Sequence, residues 1–331
     1  MENNQSETEL QNPHPLNLEP LSKGVKSIKA EVAKYLVGQT ELIELMMVGL
    51  FCGGHILIEG VPGIAKTTAA KLLAKTLDLD FSRIQFTPDL MPADVTGSSV
   101  FNLKTNEFQF KKGPIFGNVV LIDEINRSPA KTQAALFEVM EEGQVTVDGT
   151  THLVPQPFIV FATQNPIEQE GTYRLPEAQQ DRFMMKIIID YPNQTEEFEI
   201  LKRYYGSNIS DELEKIKPIL PSSEIKNIKS LIDKVFIKDE LLQYIAAVVS
   251  STRNHRDLFL GASPRASLAI MRASKAIAAI NGRGFVTPDD IRFVTFSVLN
   301  HRLILAPESE MEGTEIKQVI DGILKTVEVP R

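Results

Sequence analysis

Gly60-Val61-Pro62-Gly63-Ile64-Ala65-Lys66-Thr67 is the stretch that decides the fold. An apolar run at residues 55–58 precedes it, and a helical pattern at residues 67–77 follows it. In a loop between a strand and a helix, backbone N–H groups converge on phosphate oxygens, and the positive end of the helix adds to the attraction. Lys66 is placed to reach the β- and γ-phosphates of a nucleotide, and the Thr67 hydroxyl to coordinate Mg²⁺. The stretch therefore predicts a nucleotide site.

The loop departs from the usual pattern at one position. The usual pattern has Gly directly before the Lys, whereas this chain has Ala65. Alanine costs about 1 kcal/mol relative to glycine where φ is positive, and costs nothing where the backbone is helical. The sequence leaves both conformations open.

Short apolar segments alternate with helical patterns from about residue 23 to residue 190. The segments are β-branched or aromatic and lie at residues 55–58, 82–86, 119–122, 158–162 and 184–189. Such strands, separated by helices, are typical of a parallel sheet buried on both faces. We therefore predict an α/β fold with a parallel five-stranded sheet flanked by helices. One of these helices is predicted at residues 129–142, with Ser128 as its N-cap.

Two hairpins and a change of pattern define the rest of the chain. Residues 100–110 and 145–154 read as strand–turn–strand, the second with its turn at Asp148-Gly149. After residue 192 the pattern is helical, clearest at residues 239–254, 264–281 and 288–301. The predicted organisation is a disordered tail over residues 1–20, an α/β domain over residues 21–205 and an all-α domain over residues 206–331.

Composition narrows the class of protein. The net charge of −8 disfavours nonspecific nucleic-acid binding, which usually needs a basic surface. Cys52 is the only cysteine, so an internal disulfide is excluded and a reducing compartment is favoured. The longest apolar run, residues 45–54, is far shorter than the ~20 residues that span a bilayer. We expect a cytoplasmic protein without a membrane span.

Polar residues follow two of the predicted strands. Asp123 and Glu124 end an apolar strand, where Asp123 can hold Mg²⁺ and Glu124 can polarise an attacking water. Asn165 follows the next strand, and an Asn before Pro is by itself commonly a turn former. If its strand lies between those of the loop and Asp123, Asn165 reaches the ligand-binding edge of the sheet. Arg182 and Arg265 could act on phosphoryl charge, although spacing alone favours a surface salt bridge for each.

As an ordered set, these motifs resemble those of the AAA+ ATPases, and within them the magnesium-chelatase-like MoxR family. The resemblance runs from about residue 23 to the C-terminus and includes, besides the loop, residues 121–127, 162–166, 175–183 and 261–266. It implies that Asn165 is the sensor-1 residue, Arg182 an arginine finger and Arg265 the sensor-2 arginine of a C-terminal lid. It also implies that Val37 and Gly38 pack against adenine and that Thr68 joins the nucleotide contacts. An alanine at the position of Ala65 is normal in this family.

The resemblance further implies ATP and Mg²⁺ as cofactors and a homo-oligomeric ring, usually a hexamer. MoxR proteins are thought to act as chaperones in metal insertion or complex assembly, often with von Willebrand factor A partners. The two hairpins look like insertions that work on such clients. Three alternatives stay open at this level: a P-loop small-molecule kinase, an ATP-gated scaffold that does not hydrolyse ATP, and a DNA translocase.

Overall fold

The computed structural model describes residues 16–61, 63–166, 173, 175–205 and 216–330. The strands, in chain order, are β1 (Ile56–Gly60), β2 (Phe81–Gln85), β3 (Gly97–Asn102), β4 (Glu107–Lys112), β5 (Val119–Asp123), β6 (Gln144–Val147), β7 (Thr150–Leu153), β8 (Ile159–Gln164), β9 (Met185–Ile189), β10 (Leu258–Leu260) and β11 (Ile304–Leu305). The helices are α1 (Glu19–Val32), α2 (Thr40–Cys52), α3 (Lys66–Thr76), α4 (Pro92–Thr96), α5 (Ala130–Glu142), α6 (Glu177–Gln180), α7 (Gln194–Tyr204), α8 (Ser222–Asp233), α9 (Asp239–Arg253), α10 (Pro264–Ile280), α11 (Pro288–Leu299), α12 (Pro307–Met311) and α13 (Ile316–Thr326).

The predicted five-stranded parallel sheet is confirmed. Its order is β2-β5-β8-β1-β9, and every neighbouring pair is parallel. Alternate residues of the central strands face opposite layers: Leu121 packs with α1 to α3, and Ile122 packs with α4 and α5. Both faces of the sheet are covered, which explains why these strands read as continuous apolar runs.

Both hairpins form outside this sheet. β3 pairs with β4 and β6 with β7, and Asp148 and Gly149 both have positive φ in the second turn. The hairpins also contact each other. The Ser99 hydroxyl donates to Asp148 Oδ2 over 2.5 Å, and the rings of Phe110 and His152 stack at 4.1 Å. They therefore form one layer rather than two independent arms.

The C-terminal helices share a core with the sheet domain. α10 packs against α2, and α11 packs against β9, so the helical region joins the apolar layer on that face. A capping box starts α11, with Thr287 as N-cap and Asp290 at the third position. The ends of α9, α10 and α11 lie within two residues of those predicted.

Two local predictions were wrong. Helix α1 begins at Glu19, inside the predicted tail, because Leu18 is buried in the core and anchors the chain there; residues 1–15 lie outside the described part. Helix α5 begins at Ala130 with Pro129 as its N-cap, and Ser128 lies one residue further out in extended conformation. Its hydroxyl is buried and makes no hydrogen bond within the described residues, so it does not cap the helix. Residue 206, where we predicted a domain boundary, is not described.

Candidate active site

A cavity of about 340 Å³ opens at the carboxyl edge of the sheet, beside the start of α3. Residues from the loop and from β2, β5 and β8 line it: Gly63, Ala65, Lys66, Thr67, Thr68, Arg83, Gln85, Asp123, Glu124, Thr163 and Asn165. Ligands of open α/β sheets bind at this edge. The structure thus brings together the loop, the acidic pair and Asn165, as the sequence predicted.

The phosphate loop adopts left-handed backbone at Ala65. Its φ of 61° and ψ of 25° answer the question left open by the sequence, because this is the conformation that costs an alanine about 1 kcal/mol. Gly63 also has positive φ, with open space where a side chain would stand. A Cβ at Gly60 would lie 2.8 Å from the Ile189 carbonyl, so only glycine fits there. Backbone strain of this kind concentrates at ligand sites.

The side chains of Val61 and Ile64 do not line the cavity. Both are buried and pack into the core, so they anchor the loop and leave only their backbone for a ligand. Pro62 lies outside the described residues. Thr67 and Thr68 lie in the first turn of α3 and line the cavity.

Lys66 points back along the loop. Its Nζ donates to the Gly60 carbonyl over 2.6 Å. Burial lowers the pKa of Lys66, while the charges of Asp123 and Glu124 oppose that shift. The amine is thus held beside the two acidic residues, where an incoming phosphate would meet it.

The two acidic residues differ in environment. Asp123 is 6% exposed, accepts from Thr163 Oγ1 over 3.1 Å and forms an ion pair with Arg83 Nε at 2.6 Å. Glu124 directly follows β5 and has left-handed backbone, with φ 57° and ψ 52°. Its Oε2 accepts from Gln85 Nε2 over 2.7 Å and lies 3.1 Å from Arg127 Nε.

Asn165 meets the condition set by the sequence. β8 lies between β5 and β1, and Asn165 follows its carboxyl end as a buried residue that lines the cavity. Its polar side chain therefore lies at the edge of the sheet where ligands of open α/β folds bind.

A second cavity, of about 280 Å³, lies beside β9 and includes Gly38 among its lining residues. Ile189, which also lines it, pairs with Gly60, so this cavity adjoins the start of the phosphate loop. Gly38 has positive φ and packs against Glu196, which leaves no room for a side chain. Val37 is partly buried but does not line the cavity.

Arg182 and Arg265 lie elsewhere. Together they line a third cavity, of about 290 Å³, near His55 at the other end of β1. Arg182 reaches Glu141 at 2.9 Å, and Arg265 reaches the same carboxylate at 3.7 Å. Since β1 rises about 3.3 Å per residue, the arginines are separated from the phosphate loop by roughly 15 Å along the strand. Within one chain they do not face the nucleotide cavity.

Sequence reasoning missed three residues of the nucleotide cavity: Arg83, Gln85 and Thr163. Thr163 bridges Asp123 and the Glu124 backbone N–H. A signal existed for the other two, because polar residues two apart on a strand of a buried sheet share one face. This polar face of β2 predicts residues that line the cavity only when it is known which strand lies beside β2 in the sheet.

Comparisons with known proteins agree with this geometry. Residues 55–185 match the model of the ATPase family associated with various cellular activities (AAA), and residues 250–323 match the AAA lid domain. The chain is 44% identical to YeaC of Bacillus subtilis over 96% of both chains. It is 43% identical to Chaperone MoxR1 of Mycobacterium tuberculosis, over 91% of this chain and 81% of that one.

A solved structure matches as well. The crystal structure of a candidate ATPase from Cytophaga hutchinsonii superposes with a TM-score of 0.88 at 44% identity, covering 95% of this chain and 97% of the other. The fold and the nucleotide cavity thus define a AAA ATPase with a C-terminal lid. More narrowly, the chain belongs to the MoxR family of AAA ATPases. Among the described residues, no helix is long and apolar enough to cross a membrane.

Proposed function

We propose that this ATPase works as a homo-oligomeric ring, a hexamer by family resemblance, which uses ATP and Mg²⁺ to remodel or assemble partner proteins. The observation that carries the proposal is the shared cavity of Lys66, Thr67, Asp123, Glu124 and Asn165. These residues supply the groups that phosphoryl transfer to water needs: a phosphate-binding amine, two kinds of metal ligand, a base and a polar amide.

The donor set fits Mg²⁺. The Thr67 hydroxyl and the buried Asp123 carboxylate are hard oxygen ligands, and Mg²⁺ on nucleotides typically takes only one or two protein ligands. When bound, the metal would neutralise part of the charge of the phosphates. Glu124 is then the base that accepts a proton from the attacking water, Asn165 orients that water, and Lys66 binds the phosphates. Gly38 and the cavity beside β9 would take the adenine.

A ring accounts for the two arginines. Arg182 and Arg265 share a cavity away from the nucleotide of their own chain, which supports a role toward the nucleotide of a neighbour. Transition-state charge can be stabilised by an arginine supplied in trans. The kinase alternative needs lid arginines that act within the chain, so their placement disfavours it. Gel filtration with ATP separates the two, because a strict monomer with high turnover would favour the kinase.

Two substitutions test the site itself. Lys66→Ala should abolish nucleotide binding, because it removes the phosphate-binding charge. Glu124→Gln should bind ATP without turning it over, because it keeps the shape and removes the base. If Glu124→Gln hydrolyses ATP at the normal rate, the assigned base is wrong. If the wild type binds ATP but never hydrolyses it in any assembly, the scaffold alternative replaces this proposal.

Mixed rings test the arginine in trans. Subunits with Arg182→Ala and subunits with Glu124→Gln should each be inactive alone. When mixed, some interfaces pair an intact Glu124 with an intact Arg182, so part of the turnover should return. No recovery at any ratio, with mixed rings verified by mass spectrometry, would argue against a trans role for Arg182.

The client is proposed at the level of class. A relative named Chaperone MoxR1 supports a protein client, and the joined hairpins β3–β4 and β6–β7 give a surface to contact it. A von Willebrand factor A protein is the partner that the family resemblance favours, in the cytoplasm and without nucleic acid. The predicted domains, residues 21–205 and 206–331, would then be the motor and its lid. A pull-down with Glu124→Gln in ATP should trap the client.

A further inference from the structure

We propose that Arg83 competes with Mg²⁺ for Asp123, so that the guanidinium must leave this carboxylate before the metal can be held there. The inference rests on the proposed use of Mg²⁺ and adds a residue whose role the resemblance does not supply. Without metal, Arg83 would neutralise Asp123. Because Mg²⁺ would have to displace it, Arg83 would raise the Mg²⁺ concentration that binding requires.

Both oxygens of Asp123 already have partners. Oδ1 accepts from the Thr163 hydroxyl, and Oδ2 faces Arg83 Nε at 2.6 Å. The Thr163 contact orients the carboxylate and carries no charge, so the ion pair with Arg83 is what neutralises it. A metal drawn to the free lone pairs of Oδ2 would stand against the same guanidinium. Two cations cannot share that oxygen at hydrogen-bonding distance without strong repulsion.

Two other nearby cations make their closest polar contacts with groups other than Asp123. Lys66 Nζ donates to the Gly60 carbonyl, and Arg127 lies against Glu124. Arg83 is therefore the cation in direct contact with the metal-binding carboxylate. Because that carboxylate is buried, leaving it unpaired is costly, and Arg83 should depart only as another positive charge arrives.

Arg83 is able to depart. Its side chain is 52% exposed, and its other hydrogen bond to the described residues is a long one, 3.4 Å from Nη2 to Gln85 Oε1. The guanidinium can therefore turn into water or toward an incoming phosphate without opening the core. A nucleotide supplies negative charge on the open side of the cavity, which favours that movement.

The test is the Mg²⁺ dependence of binding of a fluorescent ADP (mant-ADP), which needs no hydrolysis. Arg83→Gln should lower the Mg²⁺ concentration for half-maximal binding by about five- to tenfold, as expected when a charged hydrogen bond no longer competes. Arg83→Lys keeps the cation and should stay closer to the wild type. Arg256→Gln, which removes a 91% exposed arginine outside the cavity, should leave the Mg²⁺ dependence unchanged.

The outcomes distinguish a failure of the proposed competition from a failure of the proposed function. An unchanged or increased Mg²⁺ requirement in Arg83→Gln, with an unchanged thermal unfolding midpoint, would overturn the competition. Weaker mant-ADP binding by the same factor with and without Mg²⁺ would also overturn it, since Arg83 would then be a direct phosphate ligand. If the wild type fails to bind mant-ADP under any condition, the proposed function fails first. If the wild type binds but all variants behave alike, only the role of Arg83 fails.

Discussion

Arg302 and Asp181 form an ion pair, with Nε 2.7 Å from Oδ1, that ties the segment just after the lid helix α11 to the residue before Arg182. The Arg302 side chain is 3% exposed. Its other nitrogens donate to the Phe183 carbonyl at 2.6 Å and the Met184 carbonyl at 3.1 Å. The lid thus fixes the backbone on both sides of Arg182.

Loss of this arginine should be costly. Arg302→Met removes the partner of Asp181 and leaves buried carbonyls unpaired, so the free energy of unfolding should fall by about 3 kcal/mol. Arg265→Met is the matched control, because that side chain is 56% exposed and its contacts are 3.7 Å or longer. We expect it to lose less than about 1 kcal/mol. Urea denaturation of both variants checks this, and equal losses would contradict it.

Replacing Ala65 with glycine should stabilise the folded protein. Its left-handed backbone is strained for alanine, so Ala65→Gly should raise the free energy of unfolding by about 0.5–1 kcal/mol, even though glycine loosens the unfolded chain. Ala30→Gly is the control, since Ala30 is exposed within helix α1. The free energy of unfolding of this variant should fall by about as much as that of Ala65→Gly rises. Thermal and urea unfolding of the two variants should therefore shift in opposite directions. A clear loss in Ala65→Gly would show that the strain is not relieved.

Features that depend only on which residues are neighbours along the chain could be predicted from the sequence. Strand, loop and helix around Lys66 follow from residue types alone, and the carboxyl ends of parallel strands had to bring Asp123 near Asn165. The sequence could not show that Arg83 contacts Asp123, because their distance depends on β2 pairing with β5 rather than on spacing along the chain. The same holds for Arg182 and Arg265, which meet at Glu141 only after the lid has packed against the sheet.

His55 should make stability fall in mild acid. Its Nδ1 accepts from the Val160 N–H and its Nε2 donates to the Met140 carbonyl, and burial lowers the pKa of His55 to about 4. The unfolded chain, with an ordinary histidine pKa near 6.5, binds the proton more readily. Stability from this group is therefore complete above pH 6.5 and is lost as the pH falls toward 4, by a total on the order of 3 kcal/mol.

His55→Gln checks that pH dependence. Glutamine at this position does not titrate, so the free energy of unfolding of the variant should change less between pH 7 and pH 5 than that of the wild type. Some dependence should persist, because burial also lowers the pKa of His301. Urea denaturation at several pH values measures both curves. Parallel curves would mean that His55 is not the group responsible.

The tip of hairpin β3–β4 should be needed for client response but not for ATP binding. Leu103 is 87% exposed and Phe108 is 73% exposed, an apolar surface that the chain itself does not cover within its described residues. Contiguous exposed apolar patches typically mark protein contacts. The double variant Leu103→Ser/Phe108→Ser should keep basal ATPase activity, because both residues lie outside the nucleotide cavity. It should lose most of any stimulation by a permanently unfolded protein such as reduced, carboxymethylated α-lactalbumin.

Lys104→Ser/Glu107→Ser provides the control on the same hairpin. These side chains are also exposed, so the variant changes the tip without removing apolar surface. We expect it to keep the stimulation shown by the wild type. If both double variants lose stimulation equally, hairpin shape rather than apolar contact carries the effect. If neither does, the client binds elsewhere on the protein.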